Sequence, residues 1–407
     1  MVFRALRYRN FKVFFIGQGI SLIGTWMQYV AMSWLVYRMT NSALMLGVVG
    51  FASQIPAFIL SPFTGVLADR HNRHKILLFT QALAMLQAFI LAFLTLTENI
   101  AVWHIVVMGI FLGCVNSLDI PARHSFILEM VEEKENLGNA IALNSMMFNM
   151  ARLIGPSIAG VLIAIAGEGV CFLINAISYI AVIASLLAMK MPARDNEKKE
   201  ADYSMFEDLR EGFNYAFGFV PIKAILFLLG IISLMGMSYA VLMPVFAKDI
   251  LHGGPHTLGF LMGAVGIGSL AGTIYLASKK NIITLGRMLP AAAGIFGLSI
   301  IIFSFSHNLV FSLTLLFFSG FGIMVQMASS NTILQTIVDD DKRGRVMSFY
   351  TMAFMGMAPL GSLLAGGMAT RLGVSNTLII SGACCIIASV VFVFKAPFLK
   401  KASGTAS

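Results

Sequence analysis

The chain has 407 residues, of which 58% are hydrophobic and only 12% are charged, and its mean hydropathy is +0.85. Soluble domains carry roughly 25% charged residues, so this composition excludes an ordinary soluble protein. Runs of about 20 apolar residues recur, and each is long enough to cross a hydrocarbon core of about 30 Å as a helix. The sequence therefore predicts an all-α membrane protein.

The apolar segments predict twelve transmembrane helices. In chain order they cover residues 11–37, 43–67, 76–97, 101–118, 138–166, 170–189, 222–247, 257–278, 288–306, 309–336, 345–370 and 375–395.

The basic residues predict the orientation, because Lys and Arg near the ends of spans stay in the cytoplasm. With the N-terminus inside, nearly all of the 28 basic residues lie on the cytoplasmic side, and Arg152 falls within a span. Only Arg38, Lys248 and Arg371 lie outside. We therefore expect a multi-pass protein of the cytoplasmic (inner) membrane with both termini in the cytoplasm. This arrangement explains the net charge of +9 without a nucleic-acid partner.

One long polar connection divides the chain into two groups of six spans. We predict an N-terminal six-helix lobe at residues 1–190, a cytoplasmic linker at 191–221, and a C-terminal lobe with a short cytoplasmic tail at 222–407. In the linker, Ser204 and Glu207 form a capping-box pattern. The apolar stripe that follows predicts an amphipathic helix on the membrane surface; it consists of Phe206, Leu209, Phe213 and Phe217.

The two halves resemble each other. Residues 125–167 align without a gap on residues 331–373 with nine identities, among them the pairs Gly155/Gly361 and Gly160/Gly366. Parallel repeats of six spans are typical of transporters, whose substrate site lies between the halves near the bilayer midplane.

A dense group of charges, GVLADRHNRHK, interrupts the apolar sequence between spans two and three. Its Gly65, Asp69, Arg70 and Arg73 resemble the signature loop of the major facilitator superfamily in position, side and spacing. Four further segments resemble the exporter branch that contains the enterobactin exporter and macrolide efflux proteins; they are DIPARHSFILEMV, NLGNAIALNS, ARLIGPSIAG and RGRVMS.

The resemblance implies a two-lobed major facilitator fold and a cytoplasmic gate. Asp69 is placed to meet a helix N-terminus or an arginine of the other half when the cytoplasmic side is closed, and such charge-assisted hydrogen bonds are strong. The alternative is a tight turn held by cytoplasmic arginines. Asp119 and Arg123 resemble gate residues that pair with the charged loop before span eleven. Arg345 belongs to that charged loop. A solvated loop pair is the alternative there.

Span five carries a charge at membrane depth. Ser145, Asn149, Arg152 and Pro156 are spaced by four, three and four residues, which places them on one helical face. An arginine at this depth is costly and usually faces a cavity or a partner. The alternative is a structural arginine bonded to carbonyls of a bent helix. The GPSIAG segment resembles a signature of antiporters, which implies helix bending at Gly155, Pro156 and Gly160.

Span one carries a polar stripe that we interpret as lining a substrate cavity; its members are Gln18, Ser21, Thr25 and Gln28. In the superfamily, spans one, four, seven and ten line the cavity, and the resemblance adds Asn116, Tyr239, Gln326 and Ser330. The alternative for each residue is a hydrogen bond between neighbouring helices. The glycine-rich segment GAVGIGSLAG in span eight indicates close helix packing, not a dinucleotide site.

These observations predict a secondary transporter that exports an amphipathic organic compound of the drug or siderophore type by rocking alternating access. Proton antiport is implied by the resemblance alone. The residues themselves indicate no proton carrier, because no carboxylate is predicted deep in a span. The expected partners are a small-molecule substrate, protons and the bilayer, with no cofactor, metal or nucleic acid, and the chain is expected to be a monomer. The alternatives are an importer, a lipid transporter, or a membrane receptor or enzyme, although no catalytic constellation is present.

The predicted orientation can be tested with single cysteines. A cysteine at Lys199 should react with an impermeant thiol reagent only from the cytoplasmic side, and one at Glu98 only from the outside. The measurement is labelling in intact cells and in inverted vesicles. Labelling of both positions from the same side would contradict the span count.

Overall fold

The computed structural model describes residues 4–131, 133–189, 213–237, 239–277, 279, 281–339 and 342–395. Throughout these ranges the regular secondary structure is helical, which confirms the predicted all-α membrane fold. After a 3₁₀ turn at Arg4–Arg7, the first half consists of α1 (Arg9–Thr40), α2 (Ala43–Arg70), α3 (Arg73–Leu96), α4 (Val102–Glu129), α5 (Lys134–Ala166) and α6 (Glu168–Leu187).

Within the described residues, the second half contains six long helices, two of which include π-helical turns. They are α7 (Val220–Ile250, with π turns at Ile232–Gly236 and Phe246–Ile250), α8 (Pro255–Ala277), α9 (Ile282–Phe303), α10 (Leu309–Ile337), α11 (Arg343–Leu372, with a π turn at Met352–Gly356) and α12 (Val374–Lys395).

Eleven helices of the described chain are long and apolar enough to cross a membrane. α1 is not among them, although its 32 residues extend over about 48 Å. Its buried face carries Gln18, Ser21 and Gln28, which lower its hydropathy. α1 is therefore a helix of spanning length whose polar groups face protein.

The chain forms two compact units that follow its two halves, except that each unit includes a short segment of the other half. Unit 1 comprises Met1–Asn41, Val48–Lys199 and His252–Gly263, whereas unit 2 comprises Ser42–Gly47, Glu200–Leu251 and Ala264–Ser407.

The same set of helix pairs packs together in each unit. In unit 1, α6 packs against α1 and α3, while α1 also contacts α5 and α3 contacts α4. In unit 2, α12 packs against α7 and α9, while α7 also contacts α11 and α9 contacts α10. Each pair in unit 2 is the unit 1 pair advanced by six helices, as expected for a parallel repeat of six spans.

The glycines of the GAVGIGSLAG segment allow α8 and α10 to approach each other closely. A Cβ atom added to Gly268 would collide with the carbonyl oxygen of Phe317, and one added to Gly320 would collide with that of Val265. Ser269 Oγ donates a hydrogen bond to the Gly320 carbonyl at 3.2 Å. The prediction that these glycines serve helix packing is confirmed.

Part of the predicted amphipathic segment packs against protein. Residues 213–218 are helical, and the Phe213 and Phe217 rings stack at 4.3 Å while each meets the Phe349 ring edge-on at 6.1 Å. Tyr215 donates to Asp339 Oδ2 at 3.1 Å. These phenylalanines therefore cover the start of α11. The remaining stripe residues lie outside the described residues.

The close approach of α8 and α10 predicts different outcomes for two Gly-to-Ala substitutions. Gly268→Ala should lower thermal stability and folded yield because the new methyl group meets the backbone of α10. Gly367→Ala is the matched control, since a Cβ there meets no atom within 4 Å and alanine favours the helix. Melting in detergent by circular dichroism measures both, and equal stability of the two variants would contradict the packing interpretation.

Candidate functional site

The charged stretch GVLADRHNRHK is helical almost throughout. Only His71 and Asn72 separate α2 from α3. Asn72 caps α3, because its side-chain Oδ1 accepts the backbone N–H of Lys75 at 3.1 Å. The connection between α2 and α3 is therefore only two residues long, which corrects the longer loop that the sequence predicted.

Gly65 and Asp69 lie in the last turns of α2. A Cβ atom added to Gly65 meets no atom within 4 Å, so neither a turn nor a close contact requires glycine there in this structure. A tight turn consequently does not explain Gly65. Arg70 is exposed at the end of the helix. The side chain of Asp69 lies outside the described part of the chain, and the latch stays a prediction.

Arg73 connects the start of α3 to the end of α4. Its Nη1 lies 2.5 Å from Oε1 of Glu129, and both side chains are largely buried. Nearby, His74 Nε2 hydrogen-bonds the carbonyl of Leu186 at 2.8 Å, which links α3 to α6. The charged stretch thus holds three helices of unit 1 together. Sequence reasoning missed Glu129 as the partner of Arg73.

Asp119 is a buried carboxylate within a helix. α4 continues ten residues beyond it, to Glu129, whereas the sequence predicted that the span ends at residue 118. Its exposed fraction is 3%. Thr80 Oγ1 and Gln81 Nε2 donate to its Oδ1 at 2.9 and 2.7 Å, and Arg123 Nη2 lies 2.6 Å from its Oδ2. The alternative of a solvated pair is wrong for Asp119, which has three partners within unit 1.

Pro121 creates a second polar contact in the same region. Proline has no N–H to donate to the carbonyl four residues earlier, which belongs to Ser117. Thr64 Oγ1 of α2 donates to that carbonyl at 2.7 Å and replaces the missing helical bond. The α2–α4 contact therefore depends on a side chain that the sequence did not single out.

The polar stripe of α1 faces the interior of unit 1. Gln18, Ser21 and Gln28 are each no more than 3% exposed, so they do not line an open cavity in this structure. Gln28 Nε2 donates to Gln87 Oε1 at 2.9 Å, and Asn175 Nδ2 donates to Gln28 Oε1 at 2.8 Å. The cavity interpretation gives way here to the alternative of bonds between helices. Sequence reasoning missed Gln87 and Asn175 as partners of Gln28. Both are polar residues in otherwise apolar spans, and this could have identified them.

The other residues implied to line a cavity are also mostly buried. Tyr239 packs edge-on against Phe296, and Gln326 Nε2 donates to Ser330 Oγ at 3.2 Å, with all four side chains buried. In unit 1, Thr25 Oγ1 donates to the Ser21 carbonyl at 2.9 Å. Half-buried positions are occupied by Thr25 in α1, Asn116 in α4, Arg152 in α5 and Arg345 in the first turn of α11.

Arg152 lies beside aromatic residues near the middle of α5. Its guanidinium carbon lies 5.8 Å from the centroid of the Trp26 ring, a cation–π contact. The Trp26 ring meets those of Tyr29 and Phe148 edge-on, each at 5.9 Å. Among the residues that the structure describes, Arg152 has no hydrogen-bond or ion-pair partner. The alternative of an arginine bonded to carbonyls of a bent helix is therefore not observed.

The small residues of α5 serve close packing. α5 remains α-helical from Lys134 to Ala166, so no break is present at Pro156. A Cβ atom added to Gly155 would lie 2.5 Å from Cβ of Trp26, and one added to Gly160 would lie 2.8 Å from the Pro255 carbonyl oxygen, within unit 1. Asn149, also on this helix, is buried and donates to the Ser145 carbonyl at 2.9 Å.

The sequence matches a known family over almost its whole length. Residues 2–406 match the family described as transmembrane secretion effector. This chain belongs to the major facilitator superfamily of transporters. Such transporters are not enzymes, as the sequence predicted.

Similar major facilitators include exporters of several kinds. The staphyloferrin A transporter of Staphylococcus aureus (strain NCTC 8325 / PS 47) is 28% identical over 384 residues, covering 94% of this chain and 95% of that protein. Macrolide efflux protein A of Streptococcus pyogenes is 21% identical, covering 95% and 96%. The enterobactin exporter of Escherichia coli O45:K1 (strain S88 / ExPEC) is 24% identical, covering 88% and 85%. The predicted exporter branch is confirmed.

Solved structures share the major facilitator fold. A bacterial homolog of the human lysosomal transporter Spinster, in an inward-facing and unoccupied conformation, aligns with a TM-score of 0.76 at 12% identity, covering 98% of both chains. A bacterial homologue of the iron transporter ferroportin aligns with a TM-score of 0.71 at 16% identity, covering 95% and 98%.

The Asp119–Arg123 pair of this transporter predicts a rescue experiment. Arg123→Gln should lower the free energy of unfolding by about 3 kcal/mol or more, because it leaves a buried carboxylate without its counter-charge. Asp119→Asn combined with Arg123→Gln should recover most of that loss, since an amide can accept from Thr80 and Gln81 at no charge. Thermal melting of the single and double variants measures this coupling, and additive losses would contradict it.

Proposed function

We propose that this chain exports an amphipathic organic compound, of the drug or siderophore type, across the cytoplasmic membrane. The protein is a monomer in the bilayer with both termini in the cytoplasm, and its two halves rock to expose the substrate site alternately to each side. The names of its relatives support this proposal, because siderophore transporters and a macrolide efflux protein match it over most of their lengths.

The observation that carries the proposal is the unpaired charge of Arg152. The residue lies 18 positions into the 33-residue α5, about 27 Å from its start. Ionisable residues at membrane depth are rare and usually face the bundle interior or an aqueous cavity. An arginine there that serves only the fold would need acceptors within the protein, and none is present among the described residues.

The opposite face of α5 has the composition expected of a surface in contact with lipid. It presents apolar side chains that are all well exposed, namely Met150, Ile158, Val161 and Ile165. Arg152 and Phe148 lie roughly half a helical turn away from this surface, on the same side as Ser145 and Asn149. The polar side of α5 is thus suited to a substrate pathway and the apolar side to the bilayer.

The charged residues at the cytoplasmic ends of the helices form the gate in this proposal. Gly65, Asp69 and Arg70 end α2 as the latch, while Arg73 holds α3 to α4 through Glu129. Arg345, in the first turn of α11, belongs to the charged segment that the latch would meet. Rocking requires the contact of the latch to form in one state and to break in the other, whereas Arg73 and Glu129 both belong to unit 1.

Proton antiport is the proposed source of energy, and Asp119 is the residue best suited to carry the proton. It is a carboxylate buried within a spanning helix, and Arg123 is its counter-charge. Exchange of a proton for substrate would then change the net charge of the Asp119–Arg123 pair on α4.

Transport can be tested directly by counterflow. Proteoliposomes loaded with an unlabelled candidate should accumulate the labelled compound transiently, and a pH gradient should drive uptake in the antiport direction. Accumulation without any effect of pH would exclude proton coupling. Uptake driven with the opposite polarity would favour an importer, and flipping of labelled lipid would favour a lipid transporter. Binding without counterflow would favour a receptor.

The role of Arg152 can be separated from a role in folding. Arg152→Lys keeps the charge but loses the planar set of donors, so we expect partial transport. Arg152→Gln loses the charge, and we expect transport to fall to near background while folded yield stays normal. Monodisperse yield on gel filtration, measured beside transport rate, decides the matter. Reduced yield of both variants would indicate a structural residue, and normal transport by Arg152→Gln would exclude it as a site.

A further inference from the structure

We propose that the substrate of this transporter is an organic anion whose charged group is attached to a flat, aromatic or otherwise planar part. The inference rests on the proposed transport function and specifies the chemistry of its substrate. It is carried by four residues of unit 1, Trp26, Tyr29, Phe148 and Arg152, which are called the Arg152 site below.

The geometry of the Arg152 site combines one cation with three aromatic rings. The guanidinium lies 5.8 Å from the Trp26 centroid, and the Trp26 ring contacts both other rings at 5.9 Å with interplanar angles above 70°. Tyr29 is 37% exposed and Phe148 is 46% exposed. Two accessible rings therefore adjoin a charged group at the middle of two long helices.

Among the residues of unit 1 that the structure describes, no acidic side chain pairs with Arg152. The acids buried in the neighbouring helices have partners already: Asp119 pairs with Arg123, and Glu168 accepts two hydrogen bonds from Arg38 at 2.8 and 3.2 Å. α1 contains no acidic residue. Glu135, on α5 itself, is 17 residues from Arg152, about 26 Å along the helix.

The contact with Trp26 attracts the cation but offers no acceptor to its N–H groups. Arginine has five such donors in a planar fork, which matches a carboxylate or a related oxyanion in two parallel hydrogen bonds. A neutral ligand would leave the charge uncompensated, and a cationic ligand would be repelled. An anion is therefore the ligand class that completes the site.

The rings specify what is attached to the anionic group. Aromatic pairs favour offset-stacked or edge-to-face arrangements with centroids 4.5–7 Å apart, and the three rings already adopt the edge-to-face form. A planar part of the ligand can pack against the exposed rings of Tyr29 and Phe148 while its oxyanion meets Arg152. A small anion without such a part would forgo these contacts.

Trp26 provides a spectroscopic reporter inside the site. The chain has three tryptophans, and replacing Trp34 and Trp103 by phenylalanine leaves Trp26 alone. The full-length variant in nanodiscs is titrated with 4-nitrobenzoate, a planar anion that quenches tryptophan, and with 4-nitrobenzamide, its neutral analogue of the same shape. Free N-acetyltryptophanamide corrects for absorption by the probes.

We expect 4-nitrobenzoate to quench Trp26 saturably and to bind at least about tenfold more tightly than the amide. Arg152→Gln should abolish this preference, whereas Arg152→Lys should retain part of it. Phe148→Ala should weaken 4-nitrobenzoate severalfold. Arg371→Gln, the same substitution at an exposed arginine in the last turn of α11, is the matched control and should leave both titrations unchanged.

Equal affinity for the acid and the amide, or an anion preference that persists in Arg152→Gln, would overturn the inference. An unchanged affinity of Phe148→Ala would overturn its aromatic part. Because Arg152→Lys keeps the charge, it supplies a second folded variant if Arg152→Gln is unstable. Anion binding without counterflow would contradict the proposed function but not the site, and counterflow without anion preference would contradict only the site.

Discussion

Polar groups buried between membrane helices must find hydrogen-bond partners within the protein, and this constraint organises unit 1. Asp119 accepts from Thr80 and Gln81 and pairs with Arg123, so that α3 and α4 are joined around one carboxylate. Farther along, Gln28 joins α1 to both α3 and α6 through side-chain amides. An unpaired polar group in such surroundings costs several kcal/mol, and each of these contacts therefore fixes the position of a helix. Arg152 is only half-buried and, among the described residues, contacts the Trp26 ring without a hydrogen-bond acceptor, which is why we propose it as a ligand site.

The two units use the same helix pairs but distribute their polar groups differently. Unit 1 contains the buried ion pairs, whereas the buried polar side chains of α10 in unit 2 are neutral, with Gln326 bonded to Ser330. Close backbone contact occurs in both units; in unit 2, Gly268 and Gly320 bring α8 against α10.

The fold could be predicted from the sequence because it depends on the length of apolar segments and on the positions of basic residues, which are both properties of the chain itself. The site could be predicted only in part. Arg152 stood out because a lone charge in an apolar span is visible without any partner. The α1 stripe was predicted to line a cavity, whereas Gln18 and Gln28 are buried in this structure, because helical spacing reports that they share a face but not what that face meets. Asp119 was placed near a span end because the apolar run was taken to end at residue 118, whereas α4 continues through Pro121 to Glu129 and Thr64 donates to the Ser117 carbonyl.

The π-helical turns described in α7 and α11 have no counterpart in α1 and α5, which are unbroken α-helices. Ser233, in one of these turns, donates to the carbonyl of Phe354, in another, at 2.5 Å. A π turn holds an extra residue, and converting it to an α turn rotates everything beyond it by about 100° about the helix axis. A helix with such a turn can rotate locally at the turn while its two ends keep their positions. A continuous α-helix can rotate only as a whole. The two six-helix units therefore share an architecture but differ in where their helices can accommodate torsion.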